Sequence, residues 1–146
     1  MRNGGEVTMR QFQALPREEQ EDILCYLEES SFYETIEHEG KLFILVHAGL
    51  NDISQYKELD DYCISDFIWG RADYEKQYFP GGKIFLVTGH IPTPLIRADQ
   101  KPLVYAEKGH IAVDCGCVFG GALAAYCIET GEATYVSSKE ENVLMC

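Results

Sequence analysis

No stretch of this 146-residue chain approaches the roughly 18 consecutive apolar residues that a membrane-spanning helix requires, and Met1 to Glu6 lack the apolar core of a signal peptide. A cytoplasmic protein with no membrane partner is the expectation. Basic residues are equally scarce. Twelve Lys and Arg stand against 24 Asp and Glu, for a net charge of -12, and nowhere do they cluster to neutralise a phosphate backbone, which argues against nucleic acid. The acidic runs Glu18 to Asp22, Glu28-Glu29, Asp60-Asp61 and Glu140-Glu141 read as solvated faces. Internal repeats and low-complexity segments are missing too, which excludes solenoids. The six cysteines are scattered, and Cys115-x-Cys117 has no second pair to complete a structural zinc site, so reduced, buried thiols are expected.

What is present suits a packed domain: 46% apolar and 25% charged residues are ordinary for a globular protein and too apolar for a disordered one. Thr8 suits the N-cap of a short turn through Phe12, and Pro16 the first position of a helix to Glu29 with an apolar stripe at Ile23, Leu24 and Leu27. After Ser31 the period becomes two. Tyr33 to His38, a Gly40-Lys41 turn and Leu42 to Val46 predict a hairpin with a buried second strand. Lys83 to Val87 repeats that apolar run, and Ile111 to Val113 repeats it shorter, paired through a Lys108-Gly109 turn with a strand near Val104-Tyr105. Ala122 to Ile128 and Ala133 to Val136 predict a last hairpin around Thr130-Gly131. Ser54 to Leu59 suggests a short helix, followed by a long aromatic connection, and residues 137–146 read as a loose tail.

Two buried strands end alike, in Leu45-Val46-His47-Ala48-Gly49 and in Val87-Thr88-Gly89-His90. Strand ends hold ligand-binding side chains rigidly beside loops that can open, so His47 and His90 are candidates to share a metal ion; the alternative is a pair of core histidines bonded to carbonyls. His38 and His110 do not share the pattern and are read as surface residues. Arg71, after the aromatic segment Asp66 to Gly70, either presents a fork to a phosphate or forms a surface salt bridge. Asp114 opens a glycine-rich loop, as a ligand or, preferably, as an Asx-type cap.

Taken in order, His47-Ala48-Gly49, Trp69-Gly70-Arg71, Gly89-His90 with Pro92-Thr93, and Asp114-Cys115-Gly116 with Val118-Phe119-Gly120-Gly121 resemble the C-terminal half of a bacterial serine/threonine phosphoprotein phosphatase, a calcineurin-like metallophosphoesterase. The resemblance runs from about Asn3 to Val136. It implies an α+β fold, half of a four-layer αββα sandwich of mixed and antiparallel sheets with an N-terminal helix, residues 1–136 forming that half. It also implies two divalent metal ions in the complete site, manganese or iron with zinc, with His47 and His90 as metal ligands and Arg71 as the catalytic, phosphate-binding residue.

The GDxHG, GDxxDRG and GNHE motifs that supply the other ligands in such proteins do not occur here, so Met1 is expected to fall inside the domain. The chain would then hold at most one metal, partially liganded, and be inactive alone. The implied activity of the intact unit is hydrolysis of phosphomonoesters on phosphoserine and phosphothreonine. Cleavage of dinucleoside polyphosphates is the alternative within enzymes. A non-catalytic half-domain that binds a missing N-terminal half, and a small β-rich domain without a site, are the alternatives outside them.

Overall fold

The computed structural model describes residues 5–51, 53 and 57–138. They divide into two compact units, before and after the Ser31-Phe32 bond. The first is helical. Helix α1 (Gly5–Gln13) runs through Thr8, which is therefore interior and not a cap. Glu6 sits where the helix dipole favours acid and pairs with Arg10 at 3.8 Å, and an interior Thr costs only a fraction of a kcal/mol, about 0.7 or less. Helix α2 (Arg17–Glu28) starts just past Pro16, which occupies the N-cap with φ -54°. None of the described residues of these helices is buried: Ile23, Leu24 and Leu27 form the expected stripe but stay 38%, 49% and 57% exposed.

The second unit is built on a mixed five-stranded sheet in the order β1-β2-β3-β5-β4. Its strands are β1 (Tyr33–His38), β2 (Lys41–Val46), β3 (Ile84–Thr88), β4 (Tyr105–Glu107) and β5 (His110–Ala112). Strands β2, β3 and β5 are mutually parallel, and β1 and β4 are antiparallel edges. The Lys108-Gly109 turn sits where the sequence signalled it, and the other falls at Glu39-Gly40, one residue ahead of the expected Gly40-Lys41. Glu39-Gly40 and Lys108-Gly109 have positive φ at both residues, the twist that tight hairpins require.

The central strands read as unbroken apolar runs because both faces of the sheet are covered. Ile44, Val46 and Leu86 pack on one face with Leu50, Ile53, Tyr62, Phe67 and Phe79. Phe43 and Ile111 pack on the other with Val104, Cys115 and Ala122. A separate two-stranded hairpin, β6 (Ala122–Tyr126) with β7 (Ala133–Ser137), supplies Ala122, Ala124 and Tyr126 to that second layer. Helices with a mixed five-stranded sheet make an α+β fold, consistent with the partial metallophosphoesterase fold that the resemblance implies.

Three expectations are corrected. His110 is 1% exposed, because its register opposite Leu86 turns it under the long connection before β3. Cys25, Cys63 and Cys127 are exposed; only Cys115 is buried, and Cys146 lies outside the described residues. The aromatic connection contains helix α3 (Ile64–Trp69), begun by Asp66, whose carboxylate accepts from the Cys63 backbone N–H at 3.0 Å. Of the helix expected over Ser54 to Leu59, residues 54–56 lie outside the described residues, as does the tail from 139; Lys57 and Glu58 are not helical, and Leu59–Asp61 is a single tight helical turn.

Candidate functional site

The parallel registers bring three strand ends level: Val46 stands opposite Thr88, and Thr88 opposite Ala112. The ladder continues one step past the strands, with Gly89 N–H donating to the His47 carbonyl and Val113 N–H to the Thr88 carbonyl, each at 2.9 Å. His47 therefore leaves the sheet at a fixed height, anchored by Ala48 and Leu50, which are 0% and 1% exposed.

His90 is held differently. Ile91 N–H donates back to the Gly89 carbonyl at 2.7 Å and His90 takes φ 66°, so it is the central residue of a three-residue turn of the rare positive-φ kind. Such a backbone costs on the order of 1–3 kcal/mol and persists where surrounding structure enforces it, most often at functional sites. The turn aims the ring at its neighbour. His47 Nε2 and His90 Nδ1 lie 3.1 Å apart, with ring centroids 4.9 Å apart and planes tilted by 59°.

Arg71 comes to the same place by a backbone contact between two motifs. Gly49 has φ 149°, and a β-carbon there would stand 2.6 Å from the Ala72 nitrogen; one at Gly70 would stand 2.9 Å from the Gly49 carbonyl. The glycines of His47-Ala48-Gly49 and Trp69-Gly70-Arg71 thus let the two segments touch, and α3 ends where the second begins. Asp66 adds a bond from Asn51 Nδ2 at 3.4 Å. The Arg71 guanidinium donates to the carbonyls of Trp69 (3.2 Å) and Gly70 (2.9 Å), and among the described residues no carboxylate forms an ion pair with it. An exposed guanidinium with no acidic partner among the described residues, near enough for its charge to act on His90, is suited to an oxyanion.

Burial first, then the positive charge of Arg71 and the neighbouring His47, hold the His90 pKa below its ordinary value of 6.5, against an opposing pull from Asp114. The neutral form, with a free nitrogen lone pair, is thereby favoured. In an NMR titration His90 is expected to take up its proton below pH 6.5, and Arg71→Ala should move the midpoint upward; an unmoved midpoint would place the guanidinium elsewhere. The unfolded chain binds the proton more readily, so this ring lowers stability as pH falls from 6.5 towards the folded midpoint, and no further below it.

Asp114 is a cap: its Oδ1 accepts from Gly116 N–H at 2.9 Å. Burial pushes the Cys115 thiol up, and its side chain packs in the apolar layer, which makes Cys115-x-Cys117 a poor metal site.

Two imidazole nitrogens on one zinc-like ion, each about 2.0–2.1 Å from it, stand roughly 2.9–3.4 Å apart at angles near 90–110°. The observed 3.1 Å falls within that spacing and is also the length of a hydrogen bond between the two rings, one nitrogen donating and the other accepting. Among the described residues no third His, Cys, Asp or Glu joins them in a metal-binding group. The Gly49-Gly70 contact is what reasoning from sequence missed, although both motifs advertised it by carrying glycine beside the functional residue.

No protein-family model matches the chain. Three curated proteins do, all asymmetrical bis(5'-nucleosyl)-tetraphosphatases PrpE. The one from Geobacillus thermodenitrificans is 31% identical over 139 residues, covering 84% of this chain and 52% of the relative. That of another Geobacillus is 31% identical over 144 residues, covering 85% and 52%. The Halalkalibacterium halodurans protein is 29% identical over 140 residues, covering 86% and 52%. The chain thus spans about half the length of the curated relatives it matches. Among the described residues no helix is long and apolar enough to cross a membrane. The relatives are calcineurin-like metallophosphoesterases, and the chain is similar to that superfamily and not specifically to the protein-phosphatase type within it.

Proposed function

We propose that this chain is the C-terminal half of a metal-dependent phosphoester hydrolase, supplying His47 and His90 as two ligands of one divalent ion and Arg71 as the phosphate-binding residue. The observation that carries the reading is the 3.1 Å approach of the two imidazoles, with a guanidinium near enough to act on His90 and without an acidic partner among the described residues. A divalent ion held there would draw charge from phosphoryl oxygens and make phosphorus more electrophilic. The chain's own part is to keep His90 neutral, to fix both rings on strand ends, and to offer the Arg71 fork to the remaining phosphate oxygens. Two imidazoles leave most of a coordination shell to be filled, so the chain by itself is nearly inactive.

Dinucleoside polyphosphates are the substrate class favoured by the relatives' names, with phosphomonoesters on phosphoserine and phosphothreonine second. Manganese, or iron with zinc, suits either chemistry, and a cytoplasmic setting suits both substrates. The exposed Ile23, Leu24 and Leu27, and the exposed Val118, Phe119, Leu123 and Val136, favour a partner: apolar surface of this kind marks interaction sites. A non-catalytic half that only binds such a partner is the second reading.

The test is co-expression with the portion of the Geobacillus thermodenitrificans relative that this chain does not match, assayed with manganese. Hydrolysis of diadenosine tetraphosphate is expected from the pair and not from the chain, with a loss of about 100-fold or more on Arg71→Ala, the scale of removing one charge-stabilising donor. Zinc binding to the chain alone should vanish in His47→Ala/His90→Ala. A pair that turns over neither diadenosine tetraphosphate nor a phosphopeptide nor an aryl phosphate, with zinc binding indifferent to both histidines, would end the hydrolase reading.

A further inference from the structure

Residues 70–79, which carry Arg71, lie across the sheet face that holds Thr88 and His110, and apart from one exposed ion pair, Lys108 Nζ to Glu75 Oε2 at 2.6 Å, the side-chain bonds that fix them to the sheet come from tyrosines or buried polar groups. Tyr74 Oη and Thr88 Oγ1 are 2.9 Å apart, with Thr88 only 1% exposed. Tyr105 Oη donates to the Tyr74 carbonyl at 3.2 Å. His110 Nε2 lies 2.7 Å from the Lys76 carbonyl, which can only accept, so that nitrogen carries the proton. The His110 ring packs between Tyr74 and Tyr78, at centroid distances of 5.3 and 5.1 Å. Tyr78 Oη accepts from Asp73 N–H at 2.7 Å, which closes the loop on itself.

One of these bonds differs from the others in what it joins. Thr88 is the last residue of β3, directly before the Gly89-His90 turn, while Tyr74 stands three residues beyond Arg71. We propose that Tyr74 is a positioning residue: its hydroxyl, bonded to Thr88, locks the Arg71 loop to the strand that aims His90, so that guanidinium and imidazole are held as one unit. Its relevance to catalysis rests on the reading of Arg71 as the phosphate-binding residue. The remaining contacts clamp the loop as a whole. His110, with Nδ1 buried and without a hydrogen-bond partner among the described residues, is held by its carbonyl bond and by the two tyrosine rings.

The physical basis is the length of the loop. Ten residues without regular structure would leave an exposed arginine free to wander by ångströms, and a misplacement of about 1 Å at a charge-stabilising group is enough to cost two orders of magnitude in rate. A hydroxyl-to-hydroxyl bond inside the protein is directional and shielded from water, so it holds the loop in register where ring packing alone permits sliding.

The test uses the chain as it is, with Tyr74→Phe and Thr88→Val, each of which removes only one side of the bond and keeps the shape. At a fixed alkaline pH, the Arg71 Cδ–H resonances and the carbon-bound ring-proton resonances of His90 should shift or broaden in both variants, and the double variant should look like either single one. Inorganic phosphate affinity should weaken by about five-fold in each, the scale of one hydrogen bond, again without further loss in the double variant. A residue that merely supports the fold would lower the melting temperature and leave the Arg71 and His90 signals of the folded fraction where they are. Unchanged signals in both variants would overturn the proposal. Shifted signals in a chain that binds no phosphate would sustain the positioning role and remove the phosphate-binding reading of Arg71, so the two failures are told apart.

Discussion

Gly70→Ala should disable the site and destabilise the sheet unit together. A β-carbon at position 70 would collide with the Asp66 carbonyl and stand 2.9 Å from the backbone of Gly49, and neither obstacle is a side chain that can swing away. Overpacking of this kind costs about 1–3 kcal/mol, and more when only backbone can yield. Relief requires α3 to lift from the His47-Ala48-Gly49 loop, which carries Arg71 away from the imidazoles. A fall in denaturation midpoint, measured in urea, should accompany a phosphate affinity as poor as that of Arg71→Ala. Wild-type stability with wild-type affinity would show that the two glycines do not touch.

The largest expected effect on stability alone is that of Leu86→Ala. Leu86 is 0% exposed in β3, the middle strand, and belongs to the cluster of Ile44, Leu50, Phe67 and Phe79. Removing three carbons where strands on both sides prevent collapse should cost about 2–5 kcal/mol, a large share of the 5–15 kcal/mol that holds a typical domain together. Chemical denaturation gives the value directly. A loss below about 1 kcal/mol would mean that the loop layer relaxes into the gap and is not packed as described.

The strands were legible because their signals are local. Alternation at Tyr33 to His38, unbroken apolar runs at Leu42 to Val46 and Lys83 to Val87, and glycine at each tight turn mark the strands and their hairpins, while the order in which they assemble comes from the parallel pairings. The convergence of His47 and His90 was legible as a pattern, since two parallel strands with the same apolar-run-then-histidine ending finish at the same level. Helix α3 was hidden by its length of six residues and by a cysteine at the N-cap, where serine or threonine would have announced it. His110 was misread because a residue next to a turn is usually exposed; only the register with Leu86 reveals that it faces inward. The exposure of the α2 stripe was also beyond local reasoning, because periodicity says which residues share a face and not whether anything covers it.

The hairpin turns at Glu39-Gly40 and Lys108-Gly109 precede β2 and β5, and β2, β3 and β5 all run the same way. Added length at either turn is therefore accommodated at the end of the sheet remote from the imidazoles. A single residue inserted within β2 or β3 has the opposite fate, because strand side chains alternate and His47 or His90 would then emerge from the wrong face. Divergence in this chain has room at one rim of the sheet and almost none along the strands themselves.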